Sequence, residues 1–402
     1  MVELASLERV AAEEKTSRLA MIAKPGGPNT GVGRYVHMLL DHLGNTSIEA
    51  RRVPPAMPPF PTTALSGLRK LGIDLPAFLS NYPVWANYPE ADVYHFSSQN
   101  LASLLLARKP PGTAIVTVHD IIPYMLRNDA DLCPYRGFAD RAFDRLAMAG
   151  LKRADRLVAD SHFTKRCLST HLGIPAEQVD VVHLGIDHAR FRPLDVNEST
   201  RLRYGLSTDQ RYLIYVGSED PRKNLEALLR ALSIVRQERS DVALLKVGRA
   251  HFEQERTRLV NLATKLGISH AVQFLDDVPE DDLPSLYNLA HICVMPSLYE
   301  GFGFPVLEAM ACGTPVICSN AASLPELVGD AALLIDPGPG AEKSMAQHIS
   351  RILNDDDLRR ALSHKGLDQA ARFTWERSTS RMLDVYRETE RASRGYRQAV
   401  QQ

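Results

Sequence analysis

Short runs rich in Val, Ile and Leu alternate along the chain with longer stretches whose apolar residues recur at three- and four-residue spacing. This is the pattern of strands and helices alternating around a mainly parallel sheet. The first half supplies candidate strands RLAMIAK (18–24), DVYHF (92–96), AIVTVHD (114–120), RLVAD (156–160) and VDVVHL (179–184). The pattern then restarts with YLIYVG (212–217), VALLKVG (242–248), VQFLD (272–276), ICVMP (292–296), PVICS (315–319) and ALLID (332–336). One sheet of all these strands is disfavoured, because single hydrophobic cores stop growing beyond ~250–300 residues. The expected architecture is α/β, with two parallel-sheet domains spanning 18–193 and 194–375, joined near Phe191-Arg192-Pro193. Residues 1–17 read as an extension. Residues 376–402 read as a charged surface helix whose stripe of Met382, Val385 and Tyr386 is expected to pack back on the first domain.

Between Arg52 and Pro89 the repeated prolines of VPPAMPPFPTT and NYPVWANYP interrupt any helix, so this stretch reads as an irregular excursion facing an acceptor, a membrane or a partner. With 47 Lys and Arg against 48 Asp and Glu, the formal charge of −1 offers no field for holding nucleic acid or an anionic membrane. No apolar run reaches the ~18 residues of a membrane span, and the acidic start is unlike a leader, so a cytoplasmic protein is expected. The five cysteines include no C-x-x-C pair and no zinc-finger spacing, and they read as small buried hydrophobes.

The segment SLYEGFGFPVLEAMACGTPVICS (297–319) carries the most chemistry. Pro305 suits the first turn of a helix and Gly313 the left-handed position beyond its end, which places a helix over about 305–312 between two strands. Ahead of it, Gly301-Phe302-Gly303 lets a ligand approach the backbone. Free N–H groups and the positive end of the dipole make the helix start an anion site, with phosphate the natural guest. Glu300 and Glu308 would flank that phosphate and grip ribose or sugar hydroxyls; alternatively, Glu308 is an acid that favours a helix N-terminus.

The run from Glu300 through Phe304, Pro305, Val306 and Leu307 to Glu308 resembles the Glu-x7-Glu signature of retaining family 4 glycosyltransferases. That resemblance implies the GT-B fold, two Rossmann-like domains facing across a cleft. YVGSEDPRKNLEALLRAL (215–232) is similar to the family's phosphate-binding loop and helix, and SLPELVGDAALLIDP (323–337) to its downstream segment. GVGRY (31–35), TVHDIIP (117–123), DSHFTK (160–165) and HLGIDHARFRP (183–193) match in order, so the resemblance spans about Arg18 to Trp375.

From the resemblance, the second domain is expected to bind the donor through Gly217, Arg222, Lys223, Gly301, Phe302, Gly303, Phe304, Pro305, Val306, Leu307 and Glu308. Glu308 would take the ribose, Glu300 a hydroxyl of the transferred sugar, and Arg222 with Lys223 the diphosphate. Many members carry Arg after the strand-ending glycine; here Ser218 follows Gly217, and Arg222 is expected to supply the charge. Gly33, in a loop between a strand and a helix, matches the loop facing the donor diphosphate. His119 would line the sugar pocket as a catalytic residue, while Tyr35, His95 and Asp120 are candidates for acceptor contacts.

No metal site is expected. Asp129-x-Asp131 and Asp355-x-Asp357 fall in polar surroundings and read as solvated surface, which leaves leaving-group charge to protein cations and dipoles. The implied reaction is retaining transfer of a hexose, with mannose from GDP-mannose as the first guess. No cofactor is called for beyond this nucleotide-sugar co-substrate. The acceptor would be a sugar or glycolipid in bacterial surface polysaccharide synthesis, with peripheral membrane association open. A UDP-sugar donor, or a non-catalytic nucleotide-sugar-binding protein, is the alternative.

Overall fold

A computed structural model of the chain describes residues 17–27, 30–56, 75–135, 137–195, 198–250 and 253–401, without side chains for 75–77 and 394–401. The first sheet consists of β1 (Arg18–Ile22), β2 (Glu49–Val53), β3 (Val93–Phe96), β4 (Thr113–Val118), β5 (Arg156–Ala159) and β6 (Val179–Val181). The second consists of β7 (Arg211–Val216), β8 (Val242–Val247), β9 (Val272–Leu275), β10 (Ile292–Met295), β11 (Val316–Ser319) and β12 (Ala332–Ile335). Their orders are β2-β1-β3-β4-β5-β6 and β12-β11-β10-β7-β8-β9, and the recorded pairings are parallel. In each sheet the winding reverses once, between β1 and β3 and between β7 and β10. Ligands of open α/β sheets bind outside the carboxyl ends of strands at such reversals.

The central strands β3, β4, β8 and β10 are buried along their whole length, which is why they read as continuous apolar runs. β2 has no such signature. Its sequence EARRV sits at the sheet edge beside β1, three of its five residues exposed, so no apolar pattern marked it as a strand. Residues 57–74 of the proline-rich excursion lie outside the described residues; a helix, Leu75–Asn81, follows, and Phe78 stacks on Phe143. Four of the five cysteines are buried and all are unpaired.

The C-terminal helix, Trp375–Gln401, returns to the first domain. Tyr386 meets His95 Nδ1 at 2.7 Å and Arg381 pairs with Asp180 at 2.9 Å. Just before it, Thr374 bridges to Ile186, so two short backbone passages connect the domains. No helix among the described residues is long and apolar enough to cross a membrane.

Candidate active site

Pro305 occupies the first turn of the Phe304–Ala311 helix, whose N-cap is Gly303 at φ +118°, a conformation that favours glycine. Gly313 follows the helix at φ +75°. The loop before this helix faces the first domain. A Cβ on Gly301 would overlap the His119 carbonyl and press on Asp120 Cβ at 2.8 Å, so the bare glycine permits the two domains to touch. Ser161 donates to the Gly301 carbonyl at 2.8 Å, and Glu326 accepts the His162 N–H at 3.0 Å. Both contacts cross the seam and hold the cleft closed.

Glu300 lies at the centre of a charged cluster beside the reversal of the second sheet. Lys223 Nζ is 2.6 Å from Oε1, the Ser297 hydroxyl donates to the same oxygen at 2.8 Å, and Arg222 stands 3.7 Å from Oε2. Burial alone would raise the Glu300 pKa, but Lys223, Arg222 and Ser297 outweigh it and hold the carboxyl below its ordinary value. Arg222 also donates to the Tyr299 carbonyl at 2.8 Å. Both cations come from a single 3₁₀ turn, Pro221–Lys223, and Asn224 at φ +56° kinks the chain before the Leu225–Glu238 helix begins. They therefore precede the α-helix rather than occupying its first turn.

Glu308 is buried, and its carboxylate is already engaged. Tyr287 donates to one oxygen at 2.8 Å, and Arg34, reaching over from the first domain, pairs with the other. Arg34 also lies 3.6 Å from Glu280 and 5.5 Å from the Phe304 ring centre. In this closed state Arg34 occupies the side of Glu308 that faces the first domain. Sequence reasoning missed Arg34 although a signal existed. It is a cation in the first turn of the Gly31–Leu43 helix, where no acid is present and the dipole disfavours positive charge.

Several expected contacts are relocated. Phe302, Val306 and Leu307 turn their side chains into the core, leaving only backbone to face a ligand, because the helix packs against β10 and β11. Phe304 and Pro305 are half-buried. Gly217 ends β7 at φ +149°, close against the Tyr215 hydroxyl. Gly33 donates its N–H to Thr30 Oγ1 as part of the N-cap, and it lines a cavity of the first domain.

Tyr35 and His95 are not acceptor contacts in this structure. His95 is 0% and Tyr35 2% exposed, in a buried polar cluster closed by Thr117 and by Tyr386 of the returning C-terminal helix. Burial, aided by the neighbouring His119, lowers the His95 pKa to about 3, so the ring is neutral. His119 has both ring nitrogens engaged, Nδ1 with Asp160 at 2.5 Å and Nε2 with the Ser97 carbonyl at 2.9 Å. Burial would lower its pKa, but Asp160 and Ser97 outweigh that and raise it. A ring held on both sides orients the strand end; it is not free to shuttle a proton. Asp120 accepts the Ile122 N–H at 3.0 Å, shaping the turn under Gly301.

The two D-x-D pairs serve backbone. Asp129 accepts the N–H groups of Asp131 and Leu132, and Asp355 caps the Asp356–Ala370 helix. Among the described residues, one group with metal-ligand chemistry gathers at the seam: His162, His183 and Glu326, with ligand atoms within 4.8 Å of one another. It is remote in sequence from both D-x-D pairs, and spacing did not suggest it.

Two six-stranded parallel sheets thus face each other across a closed cleft, with a carboxylate held by two cations at the reversal of the second. The family model for Glycosyltransferase Family 4 matches residues 29–190, and that for Glycosyl transferases group 1 matches residues 196–369. The chain belongs to the family 4 glycosyltransferases and has the GT-B fold. It is 34% identical over 283 residues to the O-antigen chain mannosyltransferase B of Escherichia coli, covering 68% of this chain and 70% of that one. It is also 34% identical over 253 residues to a D-inositol 3-phosphate glycosyltransferase of Streptomyces bingchenggensis, covering 61% of this chain and 54% of the relative, about half of its length. Among solved structures it is similar to sucrose-phosphate synthase from Thermosynechococcus elongatus, with a TM-score of 0.72 at 22% identity, covering 94% of this chain and 100% of that one. It is likewise similar to Anabaena HepE in complex with UDP and glucose, with a TM-score of 0.67 at 19% identity, covering 92% and 100%. These likenesses concern the fold alone.

Proposed function

We propose that this glycosyltransferase moves a hexose from a nucleoside-diphosphate sugar to an acceptor hydroxyl with retention of anomeric configuration and without a metal ion. The observation that carries this reading is the Glu300–Lys223–Arg222 cluster at the β7/β10 reversal, beside the N-terminus of the Phe304–Ala311 helix. When a donor enters, its diphosphate takes over the two cations and the helix start, and Glu300, released in part, accepts a sugar hydroxyl. As the glycosidic bond breaks, the extra charge on the departing diphosphate is stabilised by Arg222, Lys223 and the helix dipole. The departing phosphate oxygen takes the acceptor proton on the same face, and retention follows. His119 acts as a positioning residue that keeps the acceptor-domain strand end against Gly301.

Mannose from GDP-mannose is the proposed donor chemistry, supported by similarity to the O-antigen mannosyltransferase, and the product would belong to a bacterial surface polysaccharide or glycolipid made on the cytoplasmic side. A thermal-shift panel of nucleoside diphosphates tests the donor, since a ligand at ~100 times its dissociation constant stabilises by ~2.7 kcal/mol. Proton NMR of the first-formed product reports the anomer. A melting temperature unmoved by GDP, UDP and ADP alike would overturn the reading; a response to UDP alone would move the donor to a UDP-sugar.

A further inference from the structure

The reversal of the first sheet carries a cavity of about 390 Å³ at the ends of β1, β2 and β3, lined among others by Lys24, Gly27, Thr30, Arg52, Ser97 and Gln99. Among the described residues its lining contains two cations and neither Asp nor Glu. Lys24 Nζ donates to the neutral Asn81 side chain at 3.1 Å and has no ion pair with a carboxylate among the described residues. Burial lowers its pKa to about 8, the expected cost of a desolvated ammonium whose charge is uncompensated. The Arg52 guanidinium donates to the Gly26 and Lys24 carbonyls, which fixes the loop and brings a second positive charge to the rim. The third positive feature is the start of the Gly31–Leu43 helix, capped by Thr30 and with no acid in its first turn. A half-desolvated cation without a carboxylate partner, a guanidinium and a helix N-terminus around one cavity are the elements of a receptor for a phosphoryl group.

A chain of contacts links the cavity to the transfer site. Ser97 lines it, the Ser97 carbonyl holds His119 Nε2, and His119 meets Gly301 beside Glu300. We propose that this cavity holds the acceptor by a phosphate or diphosphate group, so that the enzyme glycosylates a phosphorylated acceptor. The inference rests on the reading that the first domain receives the acceptor.

The test is calorimetric titration of inorganic pyrophosphate into the full chain, first alone and then saturated with the nucleoside diphosphate that binds it, which blocks the donor site. Binding that survives nucleotide saturation, weakens at least tenfold in Lys24→Met and recovers in Lys24→Arg is expected, with nucleotide affinity unchanged in both variants. Arg52→Met should weaken it as well. Pyrophosphate binding abolished by saturating nucleotide, or indifferent to Lys24→Met and Arg52→Met, would overturn the proposal. Failure of every nucleoside diphosphate to bind would instead sink the donor reading and leave the cavity result standing. Competition by a soluble hexose 1-phosphate, against competition only by a polyprenyl diphosphate in mixed micelles, distinguishes a free sugar phosphate from a lipid-linked acceptor.

Discussion

Lys223→Met removes the closest cation from a carboxylate that has almost no access to water. The pair is 2.6 Å apart, with side chains 12% and 10% exposed. Breaking a buried pair from one side costs about 3–5 kcal/mol, because the remaining charge stays buried. Glu300 would retain Ser297 at 2.8 Å and Arg222 at 3.7 Å, so we expect about 2 kcal/mol here. That corresponds to a fall in melting temperature of roughly 4–8 °C for domains of this size. Local reasoning points the other way: cations near a helix start are disfavoured by ~0.3–1 kcal/mol, so their removal would leave the empty protein as stable or slightly more so. The ion pair with Glu300 is larger and decides the sign. The pH dependence follows from the lowered Glu300 pKa. Its stabilising contribution is present above the unfolded value of 4.5 and is lost as pH falls through the folded value, so the deficit of Lys223→Met is largest near pH 7 and shrinks below 4.5. Thermal denaturation of the wild type, Lys223→Met, Glu300→Gln and the double variant closes a thermodynamic cycle. The double variant should be less destabilised than the sum of the singles, and Lys223→Met should lose ~100-fold or more in turnover. Additive effects, or an unchanged melting temperature at pH 7, would refute the reasoning.

Gly301→Ala places a methyl group against the His119 carbonyl and Asp120 Cβ, so it should hold the domains apart. Small-angle scattering should show a larger radius of gyration and turnover should drop; a superimposable profile with full activity would count against the closed seam as the working state. The two glutamates should separate: Glu308→Ala weakens nucleoside diphosphate binding at least tenfold, whereas Glu300→Ala leaves it within a few-fold and lowers turnover. Equal losses of nucleotide affinity would show that both touch the same part of the donor. Transfer should proceed in excess EDTA, and activity that vanishes with the chelator and returns with magnesium or manganese would contradict a metal-independent reaction.

Much of the architecture was legible because it depends on local physics. Strands buried on both faces are mostly apolar, so β3, β4, β8 and β10 announced themselves as runs despite His95, Thr117 and Lys246 within them, and their restart after residue 193 marked a second sheet. Pro305, Gly303 and Gly313 delimited the Phe304–Ala311 helix because their backbone preferences are intrinsic. The edge strand β2 escaped, since a half-solvated strand needs no apolar run.

The partnerships within the site were decided by tertiary structure. Glu300 and Lys223 are 77 residues apart, and Arg34 and Glu308 are 274 apart. Nothing in the local pattern of either segment specifies which charge will neutralise which. His95 lies near the carboxyl end of β3 and Tyr35 in the Gly31–Leu43 helix that follows β1, a region where ligand contacts were a sound expectation. They are instead sealed in because Tyr386, 291 residues downstream of His95, arrives on the returning C-terminal helix. Residue types and spacing along one segment determine secondary structure and the chemistry it can present. Burial, and with it the energetic sign of every charge, depends on which distant segment closes over that chemistry.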